Sequence, residues 1–567
     1  MRTTPDDRIE DFTGRGWWGE RTLTSLFEAA VKSSPDHLAL VDPFNRTDFT
    51  DGIVQRLTFR ELDALVDNVS ATLYDNGLRQ DDFVVVQLPN IAELPVIYLA
   101  LAKLGVIVSP VPVQYGRFEL SKTAEMLEPR AFISTSNFKG QNLAVEHRVA
   151  FARDCKIFSF GDALPDGAIA LSLAIDQQAV STEWARYAEE IEISANDVFT
   201  ICWTSGTTGQ PKGVPRSHNL WIASATAAHD VAEMRDHEAL LNPFPMVNMA
   251  AISGFLYPWL MRASTLVLHH PLDLQVFLKQ IQDEKIRYTI APPALLNMLL
   301  KNRKMLDAID LSSLRCIGSG SAPLSDWMVA EFQRDYGIGI LNIFGSNEGM
   351  CLASSVQDLP DPSDRAQYFP RFGVEGFEWS NRAGNRIRTR LVDLQTGEII
   401  NAAGQKGELE LWGSTVFDGY LNSPEANAEV FTADGYFRTG DVFEIAGEGD
   451  KSKFYKFVGR CKDIIVRGGV NISPDEIDTL LAGHPKVAEV AVVGYDDEVM
   501  GEKVGAVVVS KPGETVTLQE LTDFLREKGM AVFKFPEQLR CVDEIPRNAV
   551  GKILRRKLKP LFDERST

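Results

Sequence analysis

The stretch Val198-Phe199-Thr200-Ile201-Cys202-Trp203, followed by Thr204-Ser205-Gly206-Thr207-Thr208-Gly209-Gln210-Pro211-Lys212-Gly213-Val214, decides how the chain is read. The first six residues form an apolar run that predicts a buried strand, and the polar run after it predicts a loop. Gly206 and Gly209 let backbone N–H groups converge into a concave nest. The hydroxyls of Thr204, Ser205, Thr207 and Thr208 add donors, and Lys212 adds a mobile positive charge. A polyphosphate is the guest that such a loop suits. The pattern is not a Walker A motif, because proline precedes the lysine and glycine follows it. A plain hydrophilic turn explains one or two glycines, but not this density of Ser and Thr closed by Pro-Lys-Gly.

On the N-terminal side, helical spacing of apolar residues over Leu23–Val31 and Leu57–Ser70 alternates with strand-like runs at Leu38–Val41, Phe83–Leu88 and Val106–Val108. A helix is expected over Ala92–Leu104. Strand, helix, strand is the rhythm of a parallel, doubly wound unit. It returns beyond the loop as strand Leu266–Leu268, helix Leu274–Asp283, strand Arg287–Ala291 and helix Pro293–Leu300. Leu314–Leu324 then reads as strand, glycine-serine turn and helix start, and Ile340–Glu348 as a strand ending in a loop with one carboxylate. Ligands of such sheets gather at the carboxyl ends of strands, so the polar loops are expected to converge.

Beyond Asp434–Asp441 the character changes. A hairpin is expected around the acidic turn Gly447–Asp450, and Ser473-Pro474-Asp475-Glu476 predicts a capping box with Pro at the first helical position. The expected fold class is α/β, a large N-terminal domain of doubly wound sheets over residues 1–460 with a small mobile α+β C-terminal domain over 461–567.

At 567 residues the chain exceeds what one hydrophobic core organises. A hydrophobic content of 44% and a charged content of 24% are those of a soluble globular protein. The net charge of −20 argues against a nucleic-acid partner, so an anionic substrate must be held by local donors. The six cysteines form no metal or redox motif, which predicts reduced thiols and a cytoplasmic location, with Cys202 and Cys316 as core residues. The first ten residues lack the apolar stretch of a signal peptide, and no long apolar run predicts an integral membrane segment.

Phe344–Glu348, Tyr436–Asp441, Gly459–Ile465 and Pro546–Arg556 follow Thr204–Val214 in an order and spacing that resembles the adenylate-forming superfamily. That superfamily includes acyl- and aryl-CoA synthetases, adenylation domains of nonribosomal peptide synthetases and beetle luciferases. The resemblance implies ATP, Mg²⁺ and coenzyme A as cofactors and a small-molecule carboxylic acid as substrate. The acid would attack the α-phosphorus to give an acyl adenylate and pyrophosphate, and a thiol would then displace AMP. Thr204, Ser205, Thr207, Thr208 and Lys212 would hold the β- and γ-phosphates on the Gly206 and Gly209 loop. Glu348, with Thr204, would hold Mg²⁺.

Gly320, Ser321 and Ala322 would form the adenine-side loop and Phe344 would stack on the base, with Asn342, Gly345, Ser346 and Asn347 completing the nucleotide-binding segment. Asp441 would accept the ribose hydroxyls, and Arg460 would add a contact to ribose or phosphate. Lys552 would bridge the attacking carboxylate and the α-phosphate as the catalytic lysine. Lys462 is the implied hinge, and Gly468-Gly469 the implied wall of the pantetheine tunnel. The basic run Arg555–Lys559 is expected to be the solvated face of a terminal helix.

The acid pocket is implied by Asn242–Gly254, Ser319, the 342–347 segment and Cys351. Asn248 stands where the family often has histidine or another aromatic, and Asn347 where it has threonine. Met249, Ala250, Ala251 and Ile252 predict an apolar wall suited to a bulky alicyclic, aromatic or fatty acid. The expected activity is an AMP-forming acid:CoA ligase, with loading of a carrier protein's pantetheine thiol as the alternative. No feature favours a luciferase-like oxidation, and a non-catalytic nucleotide sensor would be expected to lack Lys212, Glu348 or Lys552. A homodimer remains among the expected oligomeric states.

Overall fold

Phe83–Val86 is wholly apolar, and Ile107–Pro110 and Val198–Ser205 are largely so, because they are inner strands of one sheet. Val84, Val85, Ile107, Val108, Ile201 and Cys202 have no exposed side chain. The computed structural model describes residues 1–174, 182–205, 211–467, 470–497, 500–528, 530, 532–547 and 553–562. Two compact units divide the chain: Met1–Arg388 with Leu411–Gly435, and Thr389–Glu410 with Tyr436–Thr567.

The first unit carries two large mixed sheets. In one, the strand order is Ile169–Ala170, Lys156–Phe160, Ala131–Thr135, Phe83–Val86, Ile107–Pro110, Val198–Ser205 and Pro211–Ser217. All neighbours are parallel except the last pair, a hairpin whose register sets Thr204 opposite Lys212. In the other, the order is Gly349–Ser354, Gly339–Ser346, Cys316–Gly320, Tyr288–Ile290, Ala239–Asn242, Thr265–Leu268, Leu38–Val41 and Arg56–Thr58. Its inner strands are parallel and both outermost pairs antiparallel. Helices Leu274–Asp283, Pro293–Lys301 and Asp326–Tyr336 bury Phe277, Ile281, Leu296, Met328 and Phe332 in one core with strand residues Val267, Ile317 and Ile340.

The helix expected from Leu57 begins at Phe59 instead and runs to Asp75. Thr58 is its cap, because the Thr58 hydroxyl accepts the Glu61 N–H (3.3 Å) and the Glu61 carboxylate accepts the Thr58 N–H (2.8 Å). Residues ahead of the cap are left to pair as an edge strand. Among the described residues no helix is long and apolar enough to cross a membrane.

In the second unit, Phe437–Ile445 and Phe454–Arg460 form the expected hairpin around the turn Gly449–Lys453. A further sheet orders Val470–Ile472, Ile465–Arg467, Gly501–Ser510 and Val487–Asp497, with Gln538–Cys541 parallel to Gly501–Ser510. Helices Pro474–Leu481 and Leu518–Glu527 cover it with Ile477, Leu481, Leu521 and Leu525.

Two local expectations are corrected here. The capping box at Ser473 is half made: its hydroxyl accepts the Glu476 N–H (3.3 Å), but the Glu476 carboxylate takes the Lys534 ammonium (2.6 Å), a charge-assisted bond. Arg555 is not on a solvated face. It is 9% exposed and pairs with Asp475 and Asp478, the second at 2.9 Å, and these two carboxylates supply the partners that its buried guanidinium needs. Burial of Asp478 pushes its carboxyl up to about 8 despite that pairing.

Candidate active site

The hairpin, the Glu348 turn and the helix after Asn248 are joined by one side chain. Asn347 Nδ2 donates to the Trp203 carbonyl (3.0 Å), one residue before Thr204, and Asn347 Oδ1 accepts the Met249 N–H (2.9 Å). Its own carbonyl accepts from Arg216 Nη1 (2.9 Å), on the returning strand of the hairpin. Arg216 is fully buried, and its Nη2 also donates to the Leu220 carbonyl, Ser224 Oγ and the Thr415 carbonyl. Burial brings its guanidinium down to about 10, so it stays charged at neutral pH. The same burial pushes the Cys202 thiol up to about 12, which excludes it as a nucleophile.

Glu348 is 8% exposed and accepts the Tyr420 hydroxyl on Oε1 (2.9 Å). The Lys212 ammonium lies 4.7 Å from the centre of the Tyr420 ring. No cluster of three His, Cys, Asp or Glu side chains able to hold a metal occurs among the described residues. A single carboxylate with one oxygen already engaged suits a hard cation that takes its remaining ligands from phosphates and water, as Mg²⁺ does. Thr204, paired in register with Lys212, is on the same hairpin.

Cys316–Gly320 lies beside Gly339–Ser346 in parallel, with Ser319 opposite Asn342 and Gly320 opposite Ile343. A Cβ on Gly320 would fall 2.1 Å from the Ile343 carbonyl oxygen, so close approach of the neighbouring strand demands glycine there. Ser321 follows in the left-handed region (φ 68°), and it and Ala322 are exposed at the carboxyl end of the strand. Phe344 is half-buried, edge to face with Phe369 at 6.1 Å, while Gly345 and Ser346 are exposed. The Ser319 hydroxyl donates to the Ala291 carbonyl, and Asn342 Nδ2 to the Ala366 carbonyl, so both side chains are spent on packing strands and helices together.

Within and beyond the Asn242–Gly254 segment expected to border the acid, a helix begins at Met249 with a wide turn in it: Met249–Ala251 is α, Ile252–Leu256 is π and Tyr257–Met261 is α. Such turns recur at functional sites. Met249, Ala251 and Ile252 are buried and Ala250 is half-buried. Asn248 precedes the helix without capping it, and its buried Oδ1 has no hydrogen-bond partner among the described residues.

In the second unit, Asp441 and Arg460 face each other across the hairpin, with Arg460 Nε 3.3 Å from Asp441 Oδ1. The Asp441 N–H donates to Thr439 Oγ1 and Gly440 N–H to Glu408 Oε1, which fixes the backbone beneath the carboxylate. Lys462 is exposed in the turn after the hairpin. Gly206, Thr207, Thr208, Gly209, Gly468, Gly469 and Lys552 lie outside the described residues, as do the side chains of Ser205 and Cys351. Sequence reasoning passed over Arg216 and Tyr420. A lone arginine before a helix and a lone tyrosine in Phe417-Asp418-Gly419-Tyr420 carry no local signal.

The family model described as AMP-binding enzyme matches residues 27–421, and that described as AMP-binding enzyme C-terminal domain matches residues 476–552. The chain is 30% identical over 498 residues to indoleacetate--CoA ligase of Aromatoleum aromaticum, covering 88% of this chain and 91% of that protein. It is 26% identical over 569 residues to the vibriobactin-specific 2,3-dihydroxybenzoate-AMP ligase of Vibrio cholerae, covering 99% and 97%. Among solved structures, ATP-bound MatB from Rhodopseudomonas palustris superposes with a TM-score of 0.75 at 24% identity, covering 96% of this chain and all of that one.

Proposed function

From its membership of the AMP-binding enzyme family, the adenylate-forming ligases, we propose that this chain is an AMP-forming acid:CoA ligase acting on a bulky, largely apolar carboxylic acid. The observation that carries the proposal is the Asn347 bridge, which fixes the hairpin, the Glu348 turn and the Asn248–Ala251 segment to one another. A phosphate nest, a cation ligand and an acid-facing segment are the groups that adenylation needs in fixed relation.

In this reading the Thr204–Lys212 loop and the Lys212 ammonium take the β- and γ-phosphates, so that charge building on pyrophosphate as it leaves meets donors already in place. Glu348 and Thr204 would hold Mg²⁺, which offsets phosphate charge when bound. Gly320, the exposed Ser321 and Ala322, and the Phe344 ring flank the adenine, and Asp441 accepts the ribose hydroxyls, with Arg460 steadying that carboxylate. Lys552 orients the acid's oxygen toward the α-phosphorus. Asn248, with an amide oxygen in need of a partner, and the buried Met249 side chain border the acid. In the second step the thiol sulfur attacks the acyl carbon, the carbon–oxygen bond to AMP breaks and AMP departs.

Pyrophosphate release with ATP, Mg²⁺ and a panel of aryl, alicyclic and fatty acids tests the first step, and acid-dependent thioester formation with coenzyme A tests the second. Absence of acid-dependent pyrophosphate from every class would overturn the proposal. Pyrophosphate release with transfer to a carrier-bound pantetheine, and none to free coenzyme A, would favour the alternative that the dihydroxybenzoate-AMP ligase relative supports.

Lys212→Ala separates the two steps. Its loss is expected to slow pyrophosphate release by about 10²-fold, while thioester formation from a supplied acyl adenylate keeps close to its full rate. Equal slowing of both steps would show that the loop serves something other than pyrophosphate.

A further inference from the structure

We propose that Tyr420 is a positioning residue that sets Glu348 and Lys212 in register toward one metal–polyphosphate, using its hydroxyl for the first and its ring for the second. The inference rests on the reading of Glu348 as the cation ligand and Lys212 as the phosphate partner.

Tyr420 is 7% exposed and held from both sides. Its N–H donates to Asn427 Oδ1 (2.7 Å) and its carbonyl accepts from Asn427 Nδ2 (3.0 Å). Gly419 before it has φ of 133°, and a Cβ there would fall 2.8 Å from Asn427 Nδ2. The strap around it is bonded through its backbone to both groups. The Phe417 N–H donates to the Glu348 carbonyl, and the Leu421 N–H to the carbonyl of Gly213, the neighbour of Lys212, each at 2.9 Å. A tyrosine fixed in this way reaches Glu348 Oε1 at 2.9 Å and lies 4.7 Å below the Lys212 ammonium.

The chemistry of each contact suits the role. A phenol on one carboxylate oxygen fixes the rotamer and leaves Oε2, which accepts no hydrogen bond from a described residue, for a cation. Partners that orient a metal ligand in this way tune its affinity. An aromatic face holds an ammonium without neutralising it. A direct Lys212–Glu348 ion pair would instead consume both charges before phosphate and cation arrived.

Tyr420→Phe keeps the ring and removes the donor, while Tyr420→Leu removes both. The readout is Mn²⁺ binding, followed by electron paramagnetic resonance, to the full chain with α,β-methylene-ATP, together with analogue affinity in metal-free buffer. Tyr420→Phe is expected to weaken Mn²⁺ about tenfold and leave metal-free analogue affinity unchanged. Tyr420→Leu is expected to weaken the metal-free analogue as much as Lys212→Ala does. Adding Tyr420→Phe to Glu348→Gln should cost nothing further. Wild-type Mn²⁺ affinity in Tyr420→Phe, with Glu348→Gln weakened, overturns the role of Tyr420 and spares that of Glu348. Unchanged affinity in Glu348→Gln instead overturns the reading of Glu348 as ligand, and the positioning role falls with it.

Discussion

Lys552→Ala is expected to lower acid-dependent pyrophosphate release by about 10³-fold, with binding of ATP and of the acid changed little. The lysine would face charge that develops only as the carboxylate oxygen approaches phosphorus, so its loss should appear in kcat and leave KM nearly alone. The described residues on either side are firmly tied. Arg547 and Ile553 form an antiparallel bridge, the Leu554 N–H donates to the Pro546 carbonyl (2.8 Å), and Arg555 is clamped by Asp475 and Asp478. Alanine at 552 disturbs none of these contacts, so a stable protein with a lost first step is the expected product. Thioester formation from a supplied acyl adenylate should survive, because no phosphorus is attacked there. Equal pyrophosphate release by the variant and the parent would remove Lys552 from the mechanism.

Arg216→Met is expected to lower stability by about 2–4 kcal/mol, since the Asn347 and Thr415 carbonyls each lose a donor and the Leu220 carbonyl is left with that of the Ser224 hydroxyl, while relief from burying a charge returns part of that cost. Methionine is of similar length, so the loss comes from polar groups left unpaired and not from a void. The carbonyls belong to Leu220, Asn347 and Thr415, and Ser224 Oγ also loses a partner. Arg216→Lys should recover little, because one ammonium cannot replace a planar fork that serves the Asn347 carbonyl from Nη1 and its other partners from Nη2. The measurement is the denaturant midpoint of the first unit's transition, at unchanged slope. A shift worth less than about 0.5 kcal/mol would show that water or neighbouring donors take over.

Much of this fold is legible in the chain. The strand and helix rhythm is visible because strands covered on both faces are uniformly apolar and their helices carry one apolar stripe. Leu38–Val41 and Leu274–Asp283 therefore form at the expected limits. The edge strand Arg56–Thr58 escaped notice because three residues carry no periodicity, and the Thr58 cap rather than the apolar pattern starts the next helix. Arg555 was misread for a related reason: a run of positive charges does not say which of them meets a buried carboxylate.

The sequence by itself determined the composition of the Thr204–Val214 loop, the parallel architecture and the family, and it singled out Lys212, Glu348 and Asp441 as candidate charged groups of the site. Each of these is carried by residues close together in the chain, where spacing and side-chain chemistry are read directly. Only the tertiary structure decided what holds those groups in place. Asn347 meets Trp203 across 144 residues and Met249 across 98, and Tyr420 meets Glu348 across 72. Such pairings follow from sheet register and from the need of buried polar atoms for partners. Neither leaves a mark at the positions it joins until the chain is folded.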